Sequence, residues 1–262
     1  MNHAFVIPVY GRAPHLESCI KSILNQSLGP PNIAIGTSTP SDSLREVTDR
    51  YGLTIHLNPN RVDIATDWNF ALNLSGADFV TVAHQDDLYD PRYLATMNAL
   101  IQRHPGFLIA FSDYQEHTDA GVRRTNLTLR VKRWLCARGF GTREAIESRA
   151  SKLKLLNLGN PICCPSVVIH RKLIPDFKFR NSLKTNLDWD AWTRLSARDG
   201  AFLYSREILV SKRVHAESET SATIANRVRE REDRQMFEHF WPKPVAALVS
   251  AVYKAGYWSN RT

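Results

Sequence analysis

Apolar and polar positions along the chain change period repeatedly. Ala4-Phe5-Val6-Ile7-Pro8-Val9-Tyr10 is a short apolar run ended by Gly11, the pattern of a buried strand. From His15 to Gln26 the apolar residues Leu16, Ile20, Ile23 and Leu24 fall on one helical face. A second apolar run at Asn32 to Ile35 leads into the turn-rich Gly36-Thr37-Ser38-Thr39-Pro40-Ser41-Asp42. The pattern then predicts a helix over 44–51, a strand over 53–57, a helix over 67–74, a strand over 77–83, a helix over 91–104 and a strand over 107–111. Later come Val167-Val168-Ile169, Ile208-Leu209-Val210 and a charged helix from Asn226 to Phe240. Strands alternating with helices at this spacing mean βαβ units and an α/β fold with a mostly parallel sheet. Ligands on such sheets bind beyond the C-terminal ends of the strands.

Composition narrows the class. At 262 residues, 43% hydrophobic and 23% charged, the chain is globular and long enough to bury a core without disulfide staples. No apolar run reaches the roughly 18 residues of a membrane span, and the N-terminal residues do not read as a signal peptide. Cys19, Cys136, Cys163 and Cys164 form no CxxC pair, which points to reduced thiols in a cytosolic protein. The net charge is +8. Arg123 to Lys154 holds ten Lys or Arg against Glu144 and Glu147, so that stretch carries the whole excess. It is either a docking surface for something anionic or a solvated basic face.

Four clusters could carry chemistry. His84-Gln85-Asp86-Asp87-Leu88-Tyr89-Asp90-Pro91 directly follows the strongest strand. Adjacent carboxylates there suit Mg²⁺ or Mn²⁺, or cap the next helix. Asn186-Leu187-Asp188-Trp189-Asp190-Ala191-Trp192 resembles a helix entry, whose acids serve a general base or the helix dipole. His215 follows a strand in a polar loop, as a metal ligand or a structural histidine. Gly159-Asn160-Pro161-Ile162-Cys163-Cys164-Pro165-Ser166 lines a pocket or turns a corner. GxGxxG and P-loop patterns are absent, and the Cys and His spacing does not suit zinc.

The order of these pieces resembles the family-2 glycosyltransferases. Phe5-Val6-Ile7-Pro8-Val9-Tyr10-Gly11-Arg12, with Ser22-Ile23-Leu24-Asn25-Gln26-Ser27, is similar to their first strand, turn and helix. Asn58-Pro59-Asn60 and Trp68-Asn69-Phe70-Ala71-Leu72 resemble the approach to their metal-binding strand. His84-Gln85-Asp86-Asp87 sits where the family carries its DXD-like motif, and Leu187-Asp188-Trp189-Asp190 where it carries its base. The likeness covers roughly residues 4–222. Two features depart from the family pattern: the acids usual at the end of the second strand are absent, and Leu187 replaces the first acid of the usual Glu-Asp pair.

The resemblance implies a GT-A fold over 1–222, with a nucleotide-sugar half to about 115, an acceptor half over about 116–222, and a C-terminal helical extension over 223–262. It implies inverting transfer from a nucleotide-sugar, a UDP-sugar first, to a hydroxyl of a glycan or lipid-linked acceptor, in bacterial cell-surface polysaccharide synthesis. Mn²⁺ or Mg²⁺ would sit on Asp87 and His215. Pro8, Val9, Tyr10, Arg12, Thr37, Asn69, His84, Gln85 and Asp86 would bind the donor. Asp188 is the aligned base and Asp190 its rival. The basic stretch and the aromatic-ended run Trp241 to Trp258 suggest peripheral contact with the inner face of a membrane; the alternative for the helix in that run is packing on the catalytic domain or on a second subunit, as in a homodimer. Two other readings compete. One is a nucleic-acid module using Arg123, Arg124, Arg130, Lys132, Arg133 and Trp134, although no recognition motif accompanies them. The other is a nucleotidyltransferase, for which Gly11-Arg12 is a poor phosphate loop.

Overall fold

The computed structural model describes residues 1–60, 63–214 and 228–255. In chain order the elements are β1 (His3–Val9), α1 (Leu16–Leu24), β2 (Asn32–Thr37), α2 (Asp42–Arg50), β3 (Ile55–Leu57), α3 (Ile64–Leu72), β4 (Phe79–Val82), β5 (Leu88–Tyr89) and α4 (Tyr93–Arg103). They continue as β6 (Phe107–Thr118), β7 (Gly121–Arg123), α5 (Leu127–Phe140), β8 (Ala145–Ile146), α6 (Arg149–Leu156), β9 (Val168–His170), α7 (Leu187–Leu195), β10 (Ala201–Arg213), α8 (Val228–Phe240) and α9 (Lys243–Ala255).

One sheet runs in the order β3-β2-β1-β4-β9-β6-β10-β5, with β7 on β6 and β8 on β10. The strands β3, β2, β1 and β4 are parallel, as are β6 and β10. β9 lies antiparallel between β4 and β6, and β5, β7 and β8 are antiparallel too. The sheet is therefore mixed, parallel through its first half and less so beyond than the sequence pattern suggests.

The unbroken apolar run of β1 follows from burial on both faces. Phe5, Ile7 and Val9 pack with Leu16, Ile20 and Ile23 of α1 on one side. Ala4 and Val6 face the other layer, with Trp189 and Trp192 of α7, Phe140 of α5 and Phe237 of α8. The same side-chain alternation serves both layers. Helix starts are set by caps: Ser41 accepts from Leu44 N, Asp63 from Thr66 N, Asn126 from Leu129 N and Ser148 from Ser151 N. Asp63 starts α3 three residues before the helix that hydrophobicity alone predicts. α5 and α6 touch at Gly139, where a Cβ would stand 2.9 Å from Leu155 Cβ. The C-terminal helices are tied to the body. Met236, Phe237 and Ala246 belong to the main core, and Trp241 Nε1 donates to Asn157 O at 2.8 Å.

Candidate active site

Because β1, β2 and β4 are parallel neighbours, their C-terminal ends meet along one edge. Short polar bonds join the loops there. Tyr10 N donates to Gln85 Oε1 at 2.9 Å, and Gln85 Nε2 returns a bond to Tyr10 O at 3.3 Å. Gly11 N donates to Thr39 Oγ1 at 2.7 Å. Gly11 holds φ +62, a conformation that costs a side chain strain and glycine none. Thr37, 1% exposed, accepts from Thr39 N through its own hydroxyl. Val9 is a core residue and Pro8 is buried in β1, so what they offer the edge is backbone. Arg12 is exposed beside them. Asn69, expected at the donor, clamps Phe179: its Nδ2 donates to Phe179 O at 2.7 Å and its Oδ1 accepts from Phe179 N at 2.8 Å.

The loop after β4 turns three ligand-type side chains together. One donor atom each from His84, Asp86 and Asp87 lies within 4.8 Å of the others. Asp87 is 1% exposed. Its Oδ1 accepts from Arg213 N at 2.8 Å, across from the end of β10, and does not cap the following helix. Its Oδ2 is buried and without a hydrogen-bond partner, as is His84 Nε2. Burial, followed by the charge of Asp86, pushes the Asp87 carboxyl well above the usual carboxylate range. Burial also lowers His84 to about 4, so the imidazole is neutral. Neutral imidazole and clustered carboxylates whose buried oxygen lacks a donor are what a divalent cation supplies with charge and bonds. The residues fit such an ion. His215 lies outside the described residues.

The second acidic cluster sits on α7, where the two aspartates differ sharply. Asp190 Oδ2 accepts from Arg194 Nε at 2.8 Å in an i,i+4 ion pair. Asp188 makes no ion pair among the described residues. Its Oδ2 accepts from Asn160 Nδ2 at 2.8 Å and its Oδ1 from Trp189 N at 2.8 Å. Burial raises its pKa, against the lowering effects of the Trp189 N–H and then of Lys132, Arg229 and Lys212. The segment Gly159 to Ser166 thus both turns a corner and supplies Asn160 to this carboxylate.

The model of glycosyl transferase family 2 matches residues 4–177, about two thirds of the chain. The chain belongs to that family. This family-2 chain is 26% identical over 228 residues to the uncharacterized protein MT1568 of Mycobacterium tuberculosis, covering 84% of this chain and 70% of that one. Among solved structures it is similar to S. aureus TarS 1–349 in complex with UDP-GlcNAc, with TM-score 0.65, 15% identity, and 97% of this chain and 71% of that one covered. It is equally similar to the mannosyltransferase PcManGT from Pyrobaculum calidifontis in complex with GDP-Man and Mn²⁺, with TM-score 0.65, 14% identity, and 100% and 76% covered. A third is glucosyl-3-phosphoglycerate synthase from Mycobacterium tuberculosis with Mn²⁺ and UDP-Glc, with TM-score 0.56, 15% identity, and 87% and 76% covered. At these identities the likeness shows the GT-A fold.

Around these clusters stand residues that no local sequence pattern marks. Asp67, on α3, reaches the end of β2, where the family's acids are missing. Its Oδ1 accepts from Asn58 Nδ2 at 2.8 Å and its Oδ2 from Ser38 Oγ at 3.0 Å. Arg213, besides its bond to Asp87, donates from Nε to Asp86 O at 3.1 Å. Glu232 of α8 accepts from Lys184 N, Thr185 N, Thr185 Oγ1 and Asn186 N at 2.7–3.1 Å, fixing the entry to α7. The sequence signal for that anchor is the adjacent acid pair Glu232-Asp233 in a strongly charged helix.

Proposed function

We propose that the protein is an inverting, divalent-metal-dependent glycosyltransferase that moves a sugar from a nucleotide-sugar to a hydroxyl of a glycan or lipid-linked acceptor in cell-surface polysaccharide synthesis. The observation that carries this reading is the difference between the two α7 aspartates: Asp190 is neutralised by Arg194, and Asp188 is oriented but not ion-paired. A base needs a fixed orientation and a charge not already spent. Burial raises the Asp188 pKa and with it the proton affinity of the carboxylate.

Asp188 takes the proton of the acceptor hydroxyl while that oxygen bonds to the anomeric carbon. The bond from the anomeric carbon to the diphosphate oxygen breaks on the opposite face. Asp87, with Asp86, His84 or His215 as further ligands, would hold a Mn²⁺ or Mg²⁺ ion, which would supply positive charge to the departing diphosphate. Tyr10, Gly11 and Arg12, held by Gln85 and Thr39, shape the donor edge. Ser38 donates its proton to Asp67, so its hydroxyl has lone pairs to offer a base N–H. Uracil, thymine and guanine each present such an N–H; two of the similar proteins are bound to UDP-sugars and one to GDP-Man, so a UDP-sugar is the donor to try first.

The test replaces each aspartate in turn. Asp188→Asn is expected to abolish turnover while leaving stabilisation by UDP with Mn²⁺ intact; Asp190→Asn is expected to retain most turnover. The opposite ranking moves the base to Asp190.

A further inference from the structure

We propose that α5 and α9 together form a docking surface for an anionic lipid bilayer, resting on the reading of the acceptor as lipid-linked. Each helix is apolar on two sides. α5 buries Leu129, Leu135, Cys136 and Phe140, yet leaves Leu127, Val131 and Trp134 bare at i, i+4 and i+7, with Trp134 55% exposed. α9 buries Ala246 and packs Val249 and Tyr253 on the core, yet leaves Val245, Leu248 and Val252 bare, the last two at 67% and 69%. An ordinary surface helix turns a polar face outward. A second apolar stripe is the mark of a surface that meets something.

Charge and the tryptophan identify the occupant. Neither helix contains an acid, and Arg130 and Lys243 are exposed beside the stripes. The other bases are engaged within the protein: Lys132 lies over the Tyr114 ring, Arg133 and Lys254 pair with Asp113 and Glu230, and Arg138 bonds to Lys154 O. Apolar stripes between basic side chains, with a tryptophan among them, fit the interface of a bilayer carrying negative headgroups. Both helices are anchored near the end of α6: Arg138 of α5 donates to Asn157 Oδ1 at 2.7 Å, and Trp241, just before α9, donates to Asn157 O. Lys132, Tyr253 and Asp188 are close enough to act on one another electrostatically, so the core-facing sides of both helices lie near Asp188. The basic stretch as a whole is a poorer guide. Lys152 is fully buried and donates to Arg198 O, and Arg133 pairs with Asp113 at 2.6 Å. The stripes, not the count of bases, define the surface.

Co-sedimentation of the full chain with phosphatidylglycerol-containing and pure phosphatidylcholine vesicles tests this. Binding to the anionic vesicles alone, weakened by salt, is expected. Leu127→Ser with Trp134→Ser, and separately Leu248→Ser with Val252→Ser, should each lower the bound fraction about tenfold or more, since each withdraws two large apolar side chains. Leu173→Ser, at an exposed leucine elsewhere, should change nothing. Anionic binding untouched by both pairs, or no binding at low salt, overturns the proposal. So does a homodimer in light scattering that the same pairs dissolve, because a second copy then covers the stripes. Release of nucleoside diphosphate from a soluble donor, measured in the same variants, reports the transferase reading separately.

Discussion

Removing the Glu232 carboxylate should both destabilise the protein and disorder its base. Glu232 is 7% exposed and accepts four hydrogen bonds, three of them from consecutive backbone N–H groups of residues 184–186. Bonds to an ionised acceptor contribute about 1.5–3 kcal/mol each. In Glu232→Ala the groups at exposed Lys184 and half-buried Thr185 recover water, whereas the buried Asn186 N–H does not. The net cost is therefore about 3–5 kcal/mol, well below the four-bond sum. Against a total stability of about 5–15 kcal/mol this is large, and at about 2–4 °C per kcal/mol it lowers Tm by roughly 10 °C. Asn186 is two residues before Asp188, so kcat should fall as well, with donor binding less affected. Glu232→Gln, which keeps one acceptor oxygen, should lose about half as much. Urea unfolding and initial rates on the three proteins measure both effects. A Glu232→Ala midpoint equal to wild type refutes the anchoring argument. A destabilised variant with wild-type kcat refutes the link from α8 to the base.

Next to Glu232, Asp233 is 2% exposed, and burial raises its carboxyl to about 6 in the folded chain from an ordinary 3.8. The folded state then holds the extra proton, so this contribution to stability is complete below about pH 4 and is lost as pH rises through about 6, a swing of about 3 kcal/mol. Asp233→Asn should flatten that decline and be more stable than wild type at pH 8 in urea titrations; an unchanged pH slope would count against it. Ser38→Ala should raise KM for the donor several-fold with little change in kcat, because it removes a binding contact far from the scissile bond. An unaltered KM would remove Ser38 from the nucleobase pocket.

How much could be read from residues alone depended on how far apart the partners lie. The apolar runs of β1 and β4 and the helical faces of α1 and α4 are legible because each is buried by its own period. The outer end of β6, Gln115 to Thr118, and the end of β10, Ser211 to Arg213, are polar and mostly half exposed, so no apolar run announces them. They exist because they pair with each other over a long ladder. β9 reads as a strand, but its antiparallel place between β4 and β6 has no local signature. Asp86 and Asp87 stand out because adjacent acids after a strand are costly. The ion pair that distinguishes Asp190 from Asp188 is legible in principle, since Arg194 stands at i,i+4 from Asp190 and helices make that pair. Asp67 was not visible: its partners Ser38 and Asn58 lie on other loops, and only the fold brings them together. The basic stretch misled in part because sequence cannot show that Lys152 points inward.

The central claim is nucleotide-sugar turnover at the edge built from Asp87 and Asp188. The measurement closest to it is release of nucleoside diphosphate by the purified full chain from a panel of UDP-, dTDP- and GDP-sugars with Mn²⁺, with Asp87→Ala alongside. The account predicts release from at least one donor, a UDP-sugar first, lost on chelation of the metal and lost in Asp87→Ala. Release that persists in excess EDTA and in Asp87→Ala, or no release and no thermal stabilisation by any nucleoside diphosphate with Mn²⁺, would contradict it.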